Sequence, residues 1–212
     1  MSSYTLEITM PNWCSNIMTV TGPSEDVKRF VAAARGRGHT YNDVYEKDGW
    51  EVFDEIRLQA ILAHAPELSD REQDLCFHSL YPVPDDVRRF PYDENRAREI
   101  AKIAGVSPPE MPGYQWESHY WGTKWGACDT YLANHADDGM TAAADYNFET
   151  AWGPAMDWHD KVASDWPTLE FSLEYSEPGM GFEGKALWRE GSLQYDDSGP
   201  IEYDNEEVED DQ

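Results

Sequence analysis

The spacing of apolar residues divides this chain into segments of two periods. From Asn16 to Thr21, Ile17, Thr19 and Thr21 alternate with Met18 and Val20, the period of a strand, and Gly22-Pro23 ends it. Ser24 then reads as an N-cap, with Glu25 and Asp26 in a first turn where carboxylates complement the helix dipole. Val27, Phe30, Val31 and Ala34 share one face of the predicted helix, which Gly36 and Gly38 stop. Residues 1–10 read as a leader to the fold or an edge strand. The pattern is weaker from His39 to Ser69, where Leu58, Ile61, Leu62 and Ala65 fit a short amphipathic helix ended by Pro66. Leu75 to Tyr81 reads as a strand halted by Pro82-Val83-Pro84. Glu94 to Ala104 reads as a helix with Ile100, Ile103 and Ala104 on one side and Gly105 at its end. Tyr114 to Trp121 makes a short aromatic helix.

The last third is the most regular. Ala144, Tyr146 and Phe148 alternate with Asp145, Asn147 and Glu149 in a strand over Thr141–Thr150. Pro154 sits at the favoured first position of a helix that carries Met156, Trp158, Val162 and Trp166. Leu169, Phe171, Leu173 and Tyr175 alternate with Glu170, Ser172 and Glu174, and further strands follow over Gly181–Trp188 and Ser192–Tyr195. Antiparallel strands with helices on one face make an α+β sandwich. The early strand–helix pair and the late strand–helix–strand group combine as a split βαβ arrangement, the ferredoxin-like layout. On this reading a single domain spans 10–195. Its ferredoxin-like core lies at about 11–36 and 112–195, and about 39–111 forms a large insertion or subdomain.

Charge changes the picture. The chain has 42 acidic against 16 basic residues, a formal net charge of −26. Asp196 to Gln212 holds nine acids and no Lys or Arg, which reads as a disordered acidic tail. The remainder stays near about −17, so the folded body is acidic as well. Three explanations stay open: a solubilising surface, adaptation to a salty cytoplasm, and carboxylates presented to a basic protein partner. Direct nucleic-acid binding is disfavoured, because phosphate contacts need clustered Lys and Arg, and only Arg88-Arg89 and Arg96/Arg98 approach that. Cys14, Cys76 and Cys128 are widely spaced and include no Cys-x-x-Cys pair. Met1 to Met10 has neither the basic start nor the apolar run of a secretory leader, and no apolar stretch approaches the ~20 residues of a membrane span. These features point to the reducing cytoplasm and to no membrane association. Oligomeric state is not legible.

Four tryptophan- and glycine-bearing phrases then stand out. Met10-Pro11-Asn12-Trp13-Cys14-Ser15-Asn16, followed by a strand and Gly-Pro, resembles the start of YubB-like proteins, which plasmids and phages encode and which contain a ferredoxin-like domain. Leu80-Tyr81-Pro82-Val83-Pro84, Trp121 to Trp125 with Asp129, Thr150-Ala151-Trp152 and Glu177-Pro178-Gly179 resemble that family's later landmarks in the same order, from about Met10 to Gly191. The resemblance implies a ferredoxin-like fold and an accessory role in a mobile genetic element. It supplies no catalytic residues. "Ferredoxin-like" concerns topology alone, since three scattered cysteines cannot furnish the usual four thiolates of an iron–sulfur cluster.

The candidate binding residues are Trp121, Lys124, Trp125, Asp129, Trp152 and Glu177. Lys124, between two indoles, suits an anion or a carbonyl group; the plainer role is an ion pair with Asp129 or Glu177 while the tryptophans anchor the segment. His119, Cys128 and His135 match no common zinc spacing, so no metal is assigned. No phosphate loop, nucleophile elbow, catalytic residue or cofactor motif is legible. Cys14 reads as a small buried thiol. The expected function is a non-catalytic accessory protein of a phage or mobile element. It would engage a host or element-encoded protein of basic surface and interfere with nucleic-acid-handling or defence machinery. The alternative is an enzyme or small-ligand binder with a pocket around Trp121–Trp125, Asp129 and Glu177.

Overall fold

The computed structural model of the protein describes residues 12–42 and 55–202. β1 (Trp13–Pro23) buries Cys14, Asn16, Met18 and Val20 and turns Trp13, Ser15 and Ile17 to the opposite face. It feeds α1 (Ser24–Ala34), whose Val27, Phe30 and Ala34 are buried. Pro23, not Ser24, occupies the N-cap, and no side chain caps this helix. The helix stops one residue before Gly36, at an extended Arg35.

Among the described residues, seven elements follow before the main sheet resumes: β2 (Gly36–Arg37), α2 (Glu55–Leu62), β3 (Glu72–Gln73), α3 (Phe77–Leu80), α4 (Asp85–Arg88), α5 (Glu94–Ala104) and α6 (Gly113–Tyr120). The chain then runs β4 (Cys128–Asp137), β5 (Thr141–Ala151), α7 (Met156–Asp165), β6 (Glu170–Glu177), β7 (Phe182–Arg189) and β8 (Ser192–Pro200). Six strands form one sheet in the order β4-β5-β1-β6-β7-β8, each neighbouring pair antiparallel. The path from β1 through α1 ends two places away at β4, and the path from β5 through α7 ends two places away at β6. The two paths interleave around β1, which is the split βαβ pattern, and β7 and β8 extend it. The fold class is therefore the predicted one: α+β, an antiparallel sheet with helices on one side.

The covered face carries Met18, Val20, Tyr146, Phe148, Phe171, Leu173 and Trp188, packed against Val27 and Phe30 of α1 and Trp158 and Val162 of α7. Phe30 meets Phe171, Trp166 and Tyr146 edge-on at 5.3, 5.4 and 6.2 Å, geometry that adds to simple burial. The segment between α1 and β4 sends Leu75, Phe77, Trp116 and Trp121 into this same core. It also forms a second, smaller core of Leu58, Leu62, Phe90, Ala97, Ile100, Ala101 and Ala104.

Several expectations need correction. Leu75–Tyr81 is no strand: β3 ends at Gln73, and Phe77–Leu80 is a helical turn. Its apolar run has a tertiary cause, because Phe77 stacks on Trp158 at 4.0 Å and meets Trp121 edge-on. Pro154 precedes α7 instead of opening it. Ile103 is 44% exposed, and Ala97 and Ala101 share the buried face with Ile100 and Ala104. Asp196–Pro200, read as the start of a tail, lies in β8. The rest of that tail from 203 onward, and the leader reading of residues 1–10, lie outside the described residues.

Candidate functional site

The six predicted residues do not form one pocket. Trp121 is fully buried; its indole N–H donates to the Tyr81 carbonyl (3.1 Å), and its ring meets His39, Trp116 and Phe77 edge-on at 5.1–5.7 Å. Lys124 forms no ion pair with Asp129 or Glu177; its Nζ lies 4.9 Å from the Tyr114 ring centre, a cation–π contact. Asp129 is exposed on β4 with φ 46. Glu177 is buried at the end of β6, where its carboxylate accepts the Met180 N–H and braces the turn into β7.

The tryptophan phrases nonetheless converge at one end of the sheet, around Asn12 and Trp13. The Trp152 N–H donates to the Asn12 carbonyl (2.9 Å), and the Thr123 hydroxyl to the Ala151 carbonyl (3.0 Å). The Trp13 and Trp125 rings lie 6.1 Å apart. A Cβ on Gly179 would sit 2.7 Å from the Asn12 amide nitrogen and 2.8 Å from a Glu177 oxygen, so this turn packs closely on both side chains. Trp13, Trp125 and Trp152 are each between 41% and 45% exposed. Trp125 and Trp152 adopt left-handed backbone, φ 66 and 69, at about 1–2 kcal/mol each for residues with a Cβ. The Trp152 N–H bond to Asn12 and the Trp125 N–H bond to the Glu117 carboxylate (2.7 Å) hold them there.

A polar centre that the sequence did not reveal lies behind Trp125. Glu117 of α6 is completely buried and accepts four hydrogen bonds: from His39 Nε2 (2.6 Å), the Tyr41 hydroxyl (2.7 Å), the Tyr92 hydroxyl (3.0 Å) and the Trp125 backbone N–H (2.7 Å). A buried carboxylate is tolerated only when its lone pairs are so occupied. Burial first, and then the Glu117 charge, push the Tyr41 and Tyr92 hydroxyls well above the usual tyrosine range. One signal was available: Glu117 follows Gly113 and Trp116 on the inward side of α6, where an apolar residue belongs. Its partners at 39, 41 and 92 are too distant in sequence for any spacing to connect.

In front of His39 is a hollow of about 180 Å³, lined by His39, Arg71, Gln73, His78, Trp121 and Trp125 among others. His39 and His78 stack at 5.4 Å. His78 Nδ1 accepts the Val83 N–H (3.0 Å), and burial, with His39 and Arg88 nearby, holds its pKa down to about 4. The ring is thus neutral near pH 7, with its proton on Nε2. Lys124, Asp129 and Glu177 line no part of this hollow.

The uncovered face of the sheet offers a different surface. In register across it run Tyr131, Asn147, Ile17, Glu174, Lys185 and Asp197; one row over are Glu149, Ser15, Ser176 and Glu183. Asp145 and Thr19, Ser172, Leu187 and Tyr195 form the next. Ile17, Tyr131 and Tyr195 are 49–53% exposed. A hollow of about 700 Å³ lies over β1, β6, β7 and β8, lined by Ser15, Ile17, Glu174, Glu183, Lys185 and Asp197 among others.

Cys14, Cys76 and Cys128 are free thiols. Burial, with Glu149 and Glu177 nearby, pushes Cys14 up to about 12, the opposite of an activated thiolate. Among the described residues, no group of three His, Cys, Asp or Glu is placed to hold a metal ion, and no helix is long and apolar enough to cross a membrane.

Known proteins bear on the fold. No curated protein matches the chain. The crystal structure of the protein api92 from Yersinia pseudotuberculosis superposes with a TM-score of 0.52 at 13% identity, covering 92% of this chain and 99% of that one. At that identity the likeness speaks to the fold alone. Residues 128–212 match the family of the ferredoxin-like domain in Api92-like protein. From β4 onward the chain is thus similar to that ferredoxin-like domain, within the sheet that β1 completes.

Proposed function

We propose that the protein is a non-catalytic binding module whose uncovered sheet face receives a Lys- or Arg-rich segment of a protein partner. The observation that carries this is the composition of that face. Half-exposed Trp13, Ile17, Tyr131 and Tyr195 stand among Asp145, Glu149, Glu170, Glu174, Glu183 and Asp197, with only Lys185 and Arg189 opposing them. Aromatic rings accept guanidinium and ammonium groups over their faces, and carboxylates pair with them at the rim. Nucleic-acid-binding sheets of this topology couple aromatics to basic residues; here the sign is reversed.

The resemblance of the tryptophan phrases to YubB-like proteins supports an accessory role in a phage, plasmid or other mobile element. The partner is then a host or element-encoded protein, and one that handles nucleic acid has the required basic surface. Three free thiols suit a reducing cytoplasm.

Calorimetric titration of the full chain with an arginine-rich peptide, at low and at moderate salt, tests the reading. Binding should weaken as salt rises, and Glu149→Lys with Glu183→Lys should weaken it at least about tenfold at low salt. Equal affinity in the reversed variant would refute the proposal.

A further inference from the structure

We propose that the hollow between β3, α3 and the Trp121–Trp125 loop binds a planar anion of about one ring, an aromatic or heteroaromatic carboxylate. Three observations meet there. Arg35, Arg37, Arg88, Arg98 and Arg189 each hold a carboxylate, whereas the Arg71 guanidinium makes no ion pair or side-chain hydrogen bond among the described residues. In a chain with so large an excess of acid, a cation left without a carboxylate at the lip of a cleft is available for an anion from outside.

The two imidazoles also face the hollow with unsatisfied edges. Glu117 takes the Nε2–H of His39, which leaves Nδ1 without a partner among the described residues. Val83 occupies His78 Nδ1, which leaves Nε2–H as a donor, likewise without a partner there. Arg71 and His78 thus offer N–H groups to a carboxylate. The buried Glu117 fixes the orientation of His39 beside them.

Size and shape narrow the class. A cavity of ~150 Å³ accommodates a benzene ring, and this one measures about 180 Å³ with indole walls from Trp121 and Trp125. Indole faces favour a flat, polarisable guest over a tetrahedral oxyanion.

Titration of the full chain with benzoate, benzamide and inorganic phosphate tests the inference, read by calorimetry and by the indole N–H signals of Trp121 and Trp125. Benzoate should bind saturably and shift those two indoles while leaving that of Trp188, on β7, in place. Benzamide should bind at least about tenfold more weakly, and Arg71→Gln should weaken benzoate by a similar factor, the worth of one charge-assisted hydrogen bond. Arg71 is exposed, so this variant keeps the fold, and Arg35→Gln serves as the charge-matched control. No saturable benzoate binding, binding unchanged by Arg71→Gln, or phosphate bound as tightly as benzoate would each overturn it. All three outcomes leave the sheet-face proposal untouched, because none of these residues lies on that face.

Discussion

Two buried ionisable side chains carry much of what individual residues contribute here. Glu117 ties together segments at 39–41, 92 and 125, so truncation strands four donors at once. Each buried unsatisfied group costs about 1–3 kcal/mol, and Glu117→Ala should lower stability by at least about 3 kcal/mol in urea unfolding. A loss below about 1 kcal/mol would mean that water replaces the carboxylate without penalty. His159 works through protonation. Its Nδ1–H donates to the Ala155 carbonyl (2.7 Å), its Nε2 has no partner, and its ring stacks 5.0 Å from Trp188. Burial holds its pKa down to about 4 against an ordinary 6.5. The unfolded chain therefore takes up the proton first. Stability contributed by neutral His159 is complete above pH 6.5 and declines as pH falls towards 4, by about 3 kcal/mol in all. Replacing it with Phe should flatten that part of the stability–pH profile; an unchanged slope would show that other groups set it.

At the scale of elements, α5 and α6 show how local signals and tertiary contacts divide the work. The Asp93 carboxylate caps α5 by accepting the Arg96 N–H (2.9 Å), and Gly105 closes it in left-handed conformation, φ 67. Asp93→Ala should cost about 1 kcal/mol, read as a shift in thermal midpoint with the fold intact. Gly113 opens α6 at φ 46, where a Cβ would overlap the Tyr92 carbonyl. Gly113→Ala should therefore destabilise far more than the lost cap, because α6 carries Glu117 and cannot dock without it; equal effects would contradict that. The periodic segments were legible for the same local reasons. Glu94–Ala104 carries its stop signal beside its apolar stripe, and β1, β5 and β6 alternate because one face alone is covered. β4 escaped detection because it is an edge strand, with two register shifts and most of its residues exposed, so no alternation marks it. Phe77–Leu80 was misread because its apolar residues answer to Trp121 and Trp158, far along the chain. The tryptophan phrases were visible as a set, but their shared role around Asn12 depends on contacts that spacing does not encode. Glu117 shows the same limit at the site.

The whole molecule presents one covered and one uncovered sheet face, with a largely helical segment between α1 and β4 that packs on the covered side and frames a small hollow of its own. Acidity is distributed over the uncovered face as well as along the sequence from Asp196 onward, so charge alone cannot tell which part meets a basic partner. The aromatic residues can, since Trp13, Tyr131 and Tyr195 are half-exposed on the sheet itself, beside Ile17. Long-range attraction would speed encounter, and the rings would fix register once the partner has arrived. The most direct measurement is a map of backbone amide shifts on titrating an arginine-rich peptide into the full chain. The account predicts perturbations concentrated on the uncovered positions of β1, β5, β6 and β7, around Ser15, Ile17, Glu149, Glu174 and Glu183. Shifts confined to residues 203–212, with the sheet face silent, would contradict it.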